Sequence, residues 1–288
     1  MDTFWTGMMG TTCAQRFIDV KGVRTRVIEA GEGEPLILLH GTGGHAEAYT
    51  RNIVAHAGHF HVYAVDMVGH GYTDAPDIAY QIDDYVKHLG DFIDTIGADK
   101  VLLSGESLGG MVGAWYATRF PERVRKLVLN TGMLMTRDVA GRKQMQDALD
   151  RSRKAAGGLT RETVRNRLEW LMADPAQVTD ELIEMRYRIY AQPGRAAVMG
   201  KIAGNIMGGL LDDAWSERWS DSKTMRGIKC PTLVVWSGHN PGLDAQRAAL
   251  GAAEIPNHRF EVLEDAGHWP QWEQAEAFNR LHIDFLRA

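Results

Sequence analysis

Short apolar runs alternate with longer amphipathic runs through much of this chain, and this alternation restricts the fold more than any other feature. Six runs have the length and composition of strands buried on both faces: Pro35–Leu39, His61–Val65, Val101–Leu103, Lys126–Leu129, Pro231–Trp236 and Arg259–Leu263. The stretch Tyr80–Ile96 repeats apolar residues at intervals of three and four, as a helix packed on a sheet does. The pattern predicts an α/β fold with a mostly parallel sheet and helices on both of its faces, preceded by an antiparallel hairpin of Arg16–Val20 and Arg24–Ala30.

The strand pattern disappears from about Met133 to Arg226. Helical patterns replace it, among them Glu162–Met172 and Glu181–Tyr190, for which Thr179 is the expected N-cap. We therefore predict one large core with an inserted subdomain, in which residues 1–132 and 227–288 form the core and residues 133–226 form a helical lid.

Charge and hydropathy narrow the class of partner. Lys and Arg number 32 against 37 Asp and Glu, a net charge of −5 that argues against a general affinity for nucleic acid or an anionic membrane. No apolar run approaches the roughly 20 residues that span a bilayer. The N-terminus lacks a basic region before an apolar stretch, and Cys13 and Cys230 are a poor framework for disulfides. These features predict a cytoplasmic protein that acts on a small molecule.

A serine motif follows one of the predicted strands. Gly105-Glu106-Ser107-Leu108-Gly109 matches G-x-S-x-G, in which glycines allow a strand to turn sharply into a helix and present the serine hydroxyl. The apolar run Val101–Leu103 precedes it and a helical stretch at Gly110–Phe120 follows, as the motif requires. We predict that Ser107 is a nucleophile. The alternative is a purely structural turn between strand and helix.

A glycine-rich loop, His40-Gly41-Thr42-Gly43-Gly44, follows the strand that ends at Leu39. Ligands bind at this edge of open α/β sheets. An acyl-transfer site needs two donors for a developing oxyanion, and the backbone amides of Thr42 and Leu108 are the candidates. A phosphate-binding loop is disfavoured because no G-K-[S/T] sequence follows.

His268 is the predicted base. It comes after the last predicted strand, at the same edge of the sheet, and follows the nucleophile in chain order. His56, His59 and His61 raise the alternative of a metal cluster, but they straddle a helix end and a strand start without a pattern of partnering cysteines or carboxylates. We expect surface or structural roles for these three histidines.

These motifs resemble the α/β-hydrolase superfamily over nearly the whole chain. More narrowly, the sequence is similar to the carbon–carbon hydrolases that act on meta-cleavage products of aromatic degradation. Five segments carry the likeness: His40–Gly44 with Tyr49–Asn52, Val65–Gly71, Gly105–Gly110, Glu181–Tyr187 and Gly267–Glu273. The resemblance implies a helical lid over the serine and no metal or organic cofactor. It also allows a homo-oligomer, since such enzymes are often dimers or larger.

The resemblance assigns substrate-binding roles to Gly41, Arg186 and Trp269, with Arg186 on the substrate's carboxylate. A guanidinium suits a carboxylate held under an apolar lid. Arg186 has no acidic neighbour three or four residues away, whereas Arg188 can pair with Glu184. The alternatives are a solvated helix arginine at position 186 and simple core packing for Trp269.

The sequence departs from the family pattern at two places. Glu106 and a short HGTGG loop stand where many relatives have asparagine and a longer glycine-rich loop. The family's acid, four residues past the tryptophan of its strand, corresponds to Asn240. We predict that the side-chain oxygen of Asn240 accepts the Nδ1–H of His268. Asp244, four residues on, is the alternative, and Asn130 at the end of another strand offers no carboxylate.

The resulting prediction is a lidded hydrolase in which Ser107 and His268 cleave a carbon–carbon bond in a vinylogous 1,5-diketone acid. Water would attack either directly or through an acyl-Ser107 intermediate, and the sequence does not choose between these routes. A carboxylesterase or lactonase with the same residues is the first alternative, because the fold does not determine the bond that is cleaved. A non-hydrolytic enzyme or ligand-binding protein on the same scaffold is the second.

Overall fold

An eight-stranded sheet forms the centre of the protein. The computed structural model describes residues 3–132 and 158–288, and between them residues 134, 135, 139, 142–144, 146, 147 and 150. The strands are β1 (Cys13–Val20), β2 (Val23–Ala30), β3 (Pro35–Leu39), β4 (His61–Val65), β5 (Val101–Glu106), β6 (Val124–Asn130), β7 (Thr232–Ser237) and β8 (His258–Leu263). Their order across the sheet is β1-β2-β4-β3-β5-β6-β7-β8.

The pairing confirms the predicted fold class. β1 and β2 form the expected antiparallel hairpin, and β2 pairs with β4 in the antiparallel sense. The other six strands, in the order β4-β3-β5-β6-β7-β8, run parallel to one another. β3 and β4 have the limits expected from the sequence, whereas β5 continues past Leu103 because Ser104, Gly105 and Glu106 also pair with β6.

Alternate side chains of the central strands enter two different cores. Ile37 and Leu39 of β3 pack into one core, and Leu36 and Leu38 pack into the other. Such two-sided burial explains why these strands read as continuous apolar runs. The helices that cover the first core are α3 (Ile82–Thr95) and α4 (Leu108–Arg119), and those that cover the second are α2 (Thr50–Ala57) and α11 (Ala275–Arg287).

The segment between β6 and β7 contains the helices that lie over the sheet edge. They are α5 (Arg161–Leu171), α6 (Asp180–Tyr190), α7 (Arg195–Gly209) and α8 (Asp213–Trp219). α5 and α6 match the predicted helices to within one residue at each end, and the Thr179 hydroxyl caps α6 by accepting the N–H of Leu182 at 3.2 Å. The predicted start of the lid at Met133 lies outside the described residues, so the limits of the lid stay a prediction.

Three further α-helices are α1 (Phe4–Met8), α9 (Ala245–Ala252) and α10 (Pro270–Glu273), and short 3-10 helices lie at Ala46–Tyr49, Pro121–Arg123, Pro175–Gln177 and Ser222–Gly227. Within the ranges given above, no helix combines the length and the apolar character needed to cross a bilayer. Cys13 and Cys230 are free thiols, in line with the sequence prediction.

Candidate active site

Ser107 stands at a sharp turn between β5 and α4. Its backbone has φ +52° and ψ −114°, a conformation that is costly for any residue with a Cβ. The flanking glycines are required by close approach: a Cβ on Gly105 would lie 2.2 Å from the backbone of Gly109, and a Cβ on Gly109 would lie 2.3 Å from the carbonyl oxygen of Leu39. The G-x-S-x-G spacing therefore follows from backbone packing, and it brings the Ser107 hydroxyl to the carboxyl edge of the sheet.

The glycine-rich loop after β3 lies against this turn, since a Cβ on Gly41 would lie 2.8 Å from the Cβ of Ser107. His40 holds the loop: its Nδ1–H donates to the Gly41 carbonyl at 2.8 Å, and its Nε2 accepts the N–H of Met67 at 3.1 Å. A carbonyl only accepts and a backbone N–H only donates, so this imidazole is neutral. Burial lowers the pKa of His40 to about 3, which keeps it neutral at physiological pH.

The two amides expected at the oxyanion position both lie beside the serine. Thr42 lines the same cavity as Ser107. Leu108 is the first residue of α4, so its N–H belongs to the turn whose donors have no partner within the helix. Thr42 and Leu108 thus lie close to Ser107, and the role of their N–H groups in stabilising an oxyanion remains a proposal.

His268 lies on the loop between β8 and α10, and hydrogen bonds hold this loop on several sides. The N–H of His268 donates to the carbonyl of Leu171, at the end of α5, at 2.6 Å. Its own carbonyl accepts the Thr131 hydroxyl at 2.8 Å. The N–H of Gly267 donates to the buried carboxyl group of Glu273 on α10 at 2.8 Å. The loop is therefore attached to the lid, to the sheet edge and to α10, and the imidazole faces the cavity that Ser107 lines.

Asn240 holds the imidazole from its Nδ1 side. Oδ1 of Asn240 lies 2.7 Å from Nδ1 of His268, and the amide Nδ2 donates to the Leu243 carbonyl at 2.8 Å. Because a carbonyl can only accept, the NH2 end of the amide must face Leu243 and the oxygen must face the ring. Nδ1 of His268 therefore carries a hydrogen, and Nε2 presents its lone pair to the reaction.

The alternative orienting residues point elsewhere. Asp244 is the N-cap of α9: its Oδ1 accepts the N–H of Arg247 at 2.8 Å, and its Oδ2 accepts from the Gln144 amide. Asn130 donates its side-chain N–H to Gln271 at 2.7 Å. Neither residue has its side chain on His268, so the geometry favours Asn240 over Asp244.

Glu106 adds a carboxyl group on the other side of the ring. Its Oε1 lies 3.3 Å from Nε2 of His268, and its Oε2 accepts the N–H of Gly41 at 2.5 Å. The side chain is 1% exposed. Burial raises the pKa of Glu106 to about 8, so the carboxyl group is protonated at neutral pH. Glu106 thus places an acid beside His268.

A cavity of about 120 Å³ covers Ser107 and His268. Its apolar wall comes from the core and from the lid: Met111, Trp236, Trp170, Leu171, Met207 and Leu210. An apolar wall with a few polar groups at one end is typical of a site for a small organic molecule. Trp269 also lines this cavity. It is 2% exposed and packs in the same core as Leu182, so it both forms part of the cavity wall and belongs to the core.

Arg186 is buried under the lid, on the face of α6 that carries the apolar residues Leu182, Ile183 and Tyr190. Its guanidinium approaches the glycine-rich loop: a Cβ on Gly43 would lie 2.9 Å from Nη2. Nη1 is buried and makes no hydrogen bond to any residue that the structure describes. Burial lowers the pKa of Arg186. The predicted pair of Arg188 and Glu184 is confirmed at 2.6 Å, so two arginines of one helix have opposite environments.

Sequence reasoning missed a second arginine of the lid. Arg167 on α5 lines the cavity, and burial and then the charge of Arg186 lower its pKa to about 10. It lies at the spacing of the apolar stripe of its helix, formed by Val164, Leu168 and Leu171. An arginine within an apolar stripe was the available signal, and it is the same signal that marked Arg186.

The histidines considered as a metal cluster have different contacts. His56 is buried and contacts Nδ1 of His282 through its Nε2 at 2.9 Å, and His61 contacts Glu29 at 2.7 Å. Across the part of the chain that the structure describes, no three His, Cys, Asp or Glu side chains are grouped so that they could hold a metal ion.

Comparisons with known proteins identify the family of this fold. The family model for the alpha/beta hydrolase fold matches residues 34–275. The 2-hydroxy-6-oxo-2,4-heptadienoate hydrolase of Pseudomonas putida is 30% identical over 284 residues, which cover 95% of this chain and 96% of the relative. The 2-hydroxy-6-oxo-6-(2'-aminophenyl)hexa-2,4-dienoic acid hydrolase of Metapseudomonas resinovorans is 30% identical, with 94% of this chain and 90% of the relative covered.

Solved structures give the same result. The meta-cleavage product hydrolase from Pseudomonas fluorescens, in a mutant form complexed with acetates, superposes with a TM-score of 0.79 at 28% identity, covering 94% of this chain and 97% of that chain. A serine hydrolase involved in carbazole degradation superposes with a TM-score of 0.81 at 28% identity, covering 96% and 99%. The chain therefore belongs to the alpha/beta hydrolase family and resembles, over nearly its whole length, the hydrolases of meta-cleavage products.

Proposed function

We propose that this protein hydrolyses a carbon–carbon bond in a meta-cleavage product, a vinylogous 1,5-diketone acid, and releases a hydroxydienoate and a carboxylic acid. The names of the relatives support this substrate class, because they are hydrolases of 2-hydroxy-6-oxo-dienoic acids. The partner is thus a small molecule with an acidic end and an apolar remainder.

The observation that carries the proposal is the buried guanidinium of Arg186. Its Nη1 lacks a hydrogen-bond partner among the described residues, and leaving a buried charged donor unpaired is costly. A substrate carboxylate at this position satisfies it with a charge-assisted hydrogen bond. An ester or lactone without a free carboxylate leaves this guanidinium unpaired, so the site favours an acid.

The residues at and near the cavity take the following roles in this proposal. Arg186 is not among the residues that line the cavity, and its guanidinium lies beside Gly43 of the glycine-rich loop. Arg186 binds the carboxylate, and Gly41 and Trp269 form part of the binding pocket. His268, oriented by Asn240, moves a proton so that the dienol becomes a ketone. Water, directly or through an acyl-Ser107, then attacks the second ketone. Thr42 and Leu108 donate their amide hydrogens to the oxyanion that forms there.

A substrate panel tests the proposal. The purified protein is mixed with ring-fission products that differ in their acyl substituent, with the methyl esters of the same compounds, and with p-nitrophenyl esters. We expect loss of the yellow chromophore with the free acids, with stoichiometric formation of both products by chromatography. Methylation of the substrate carboxylate should lower kcat/KM.

Two other outcomes would replace the proposal. Turnover of p-nitrophenyl esters alone identifies a carboxylesterase or lactonase. Saturable binding of the free acids without turnover identifies a non-hydrolytic or binding protein on the hydrolase scaffold.

A further inference from the structure

Glu106 and His268 meet at the ring nitrogen that serves the reaction. Oε1 of Glu106 lies 3.3 Å from Nε2 of His268, while the N–H of Gly41 holds Oε2 at 2.5 Å. The carboxyl group is closed off from solvent, with 1% of the side chain exposed. Glu106 also lines the cavity with Ser107. Its position therefore allows proton exchange with the base and gives it access to a bound substrate.

The opposite nitrogen has a neutral partner. Asn240 accepts the Nδ1–H of His268 and so determines the tautomer, but an amide carries no charge to stabilise an imidazolium ion. Of the residues that the structure describes, Glu106 is the one that brings a carboxyl group within 4.0 Å of a ring nitrogen of His268. Asn240 therefore orients the ring at one nitrogen, and Glu106 places a carboxyl group at the other.

We propose that Glu106 and His268 share one transferable proton between Oε1 and Nε2, and that this pair is the acid and base of the ketonisation step. The proposal rests on the function proposed above and deepens it, because it names a further residue that carries a proton for the same reaction.

The step balances without any other reactant. In the resting pair Oε1 of Glu106 carries the proton and lies 3.3 Å from Nε2, to which the proton can pass. The pair gives this proton to the substrate carbon next to the second ketone, where the electrons of the diene form the new C–H bond. The electrons of the enol O–H bond form the first ketone, and the enol proton returns to the pair. The substrate changes from dienol to ketone, and the pair ends with the one proton it began with.

The surroundings of Glu106 agree with this resting state. Burial raises the pKa of Glu106 to about 8, against the opposing effects of the Gly41 N–H and of the charges of Arg186 on α6 and Arg167 on α5. Tyr49, on the 3-10 helix Ala46–Tyr49, also lies close to Glu106. Burial, and then the charge of Glu106, raise the pKa of Tyr49 well above its usual value, so its hydroxyl stays neutral. Burial, and then the charge of Arg167, lower the pKa of His268 to about 3. The pair therefore holds one proton at neutral pH and loses it as the pH rises through about 8.

Glu106→Gln removes the transferable proton of the side chain while keeping its size and shape. The glutamine carbonyl can accept the Gly41 N–H as Oε2 does, and its NH2 group takes the place of Oε1 beside Nε2, but the amide has no transferable proton. Glu261→Gln is the matched control, since it removes a carboxyl group from an exposed ion pair with Arg259 on β8. Folding of both variants is checked by near-UV circular dichroism.

The first measurement needs no substrate. Infrared difference spectra of the wild type between pH 7 and pH 9 should show the loss of a carboxylic acid C=O band, which Glu106→Gln should lack. Burial also raises the pKa of Glu273, so its carboxyl group can give a second C=O band. That band is present in the wild type and in both variants, which distinguishes it from the band of Glu106. The rate at which a fluorophosphonate labels Ser107 should rise in the wild type as the pH passes about 8, because Glu106 loses the proton that it shares with Nε2 of His268, and should stay flat in Glu106→Gln.

The second measurement follows ketonisation of a ring-fission product by stopped-flow absorbance. We expect the rate to fall about 10²-fold in Glu106→Gln, to fall above about pH 8 in the wild type, and to be unchanged in Glu261→Gln.

A wild-type rate and pH profile in Glu106→Gln would overturn the proposal, as would the absence of a difference in the infrared spectra. If Glu106→Gln does not fold, the pH dependence of Ser107 labelling in the wild type decides alone, and a flat profile overturns it. If the wild type shows the infrared band and the labelling profile but consumes no dienoate, the proton sharing stands and the proposed substrate class fails.

Discussion

Oδ1 of Asn240 accepts the Nδ1–H of His268 at 2.7 Å, in the position that a carboxylate occupies in a serine–histidine–aspartate triad. The Asn240 amide cannot flip by 180° without losing this hydrogen bond and the 2.8 Å hydrogen bond from its Nδ2 to the Leu243 carbonyl. A neutral side chain thus fixes the tautomer of the base. The effect of the missing charge can be measured by exchanging one functional group.

We expect Asn240→Asp to keep or raise kcat. The carboxylate accepts the same Nδ1–H and in addition stabilises the imidazolium that forms when His268 takes a proton. Steady-state kinetics over a range of pH measures the change, and a loss of more than about tenfold in kcat would contradict the expected role.

Asp244→Ala is the matched control for that exchange. Asp244 caps α9 and does not touch the base, so kcat should stay within about twofold. Loss of the cap should lower the free energy of unfolding by about 1 kcal/mol, measured by urea denaturation. A large loss of activity in this variant would identify Asp244 as the orienting residue.

Ser107→Ala should lower kcat by several orders of magnitude while the protein stays folded, because the serine sits on a preformed turn. His268→Ala should be similarly damaging. The double variant should cost little more than the worse single variant, since the two residues act in one step. Additive losses in kcat would show that Ser107 and His268 do not share a step.

Arg186→Ala should raise KM for substrates with a free carboxylate, by an amount that corresponds to about 1.5 to 3 kcal/mol for a lost charged hydrogen bond. Arg188→Ala is the control on the same helix, because Arg188 is exposed and paired with Glu184. It should change KM by less than about twofold. Equal effects of the two substitutions on KM would remove the carboxylate role from Arg186.

The free energy of unfolding should fall as the pH falls below about 6.5, because several histidines are buried in the neutral form. Burial lowers the pKa of His56 and of His40 to about 4 and about 3, from 6.5 in the unfolded chain. A lowered histidine pKa means that the unfolded state binds the extra proton, so the stabilisation is complete above pH 6.5 and is lost on acidification.

Denaturation in urea at a series of pH values checks this expectation. Each such histidine contributes up to about 1.4 kcal/mol per pH unit between its two pKa values. His56→Gln should reduce the slope, whereas His59→Gln, an exposed substitution three residues further on, should retain it. A stability that does not change between pH 7 and pH 5 would contradict the neutral state of these side chains.

Periodicity predicted much of the fold because burial on two faces leaves a strong signal. β3 and β4 have the limits expected from the sequence, as is natural for strands whose alternate residues enter two apolar cores. The start of α4 at Leu108 rather than Gly110 was harder to predict. The strained backbone of Ser107 determines where this helix begins, and helix propensity does not show it.

The site was predictable where chain order and spacing determine it. Asn240 was found through the resemblance, which implies an orienting residue four positions past Trp236, and the structure places the Asn240 side chain on His268. The contact between Glu106 and His268 was not predictable, because it depends on the direction in which β5 turns its last side chain towards a loop 162 positions away. Arg167 was missed although it interrupts an apolar stripe, since a single charged residue in a lid helix reads as exposed.

The hydrogen bond from the His268 N–H to the Leu171 carbonyl has a consequence for exchanging parts between relatives. Lids are attractive for transplantation, because they contribute apolar residues to the pocket while the core supplies the serine. Here the end of α5 also anchors the loop of the base, and Ala173 just beyond it donates its N–H to Glu273 at 2.7 Å. A chimaera that replaces the lid alone keeps these anchors only if its new backbone brings a carbonyl and an N–H to the same two places. A functional graft therefore has to carry residues 171–173 and 267–273 together, as one unit that sets both the shape of the pocket and the aim of the imidazole.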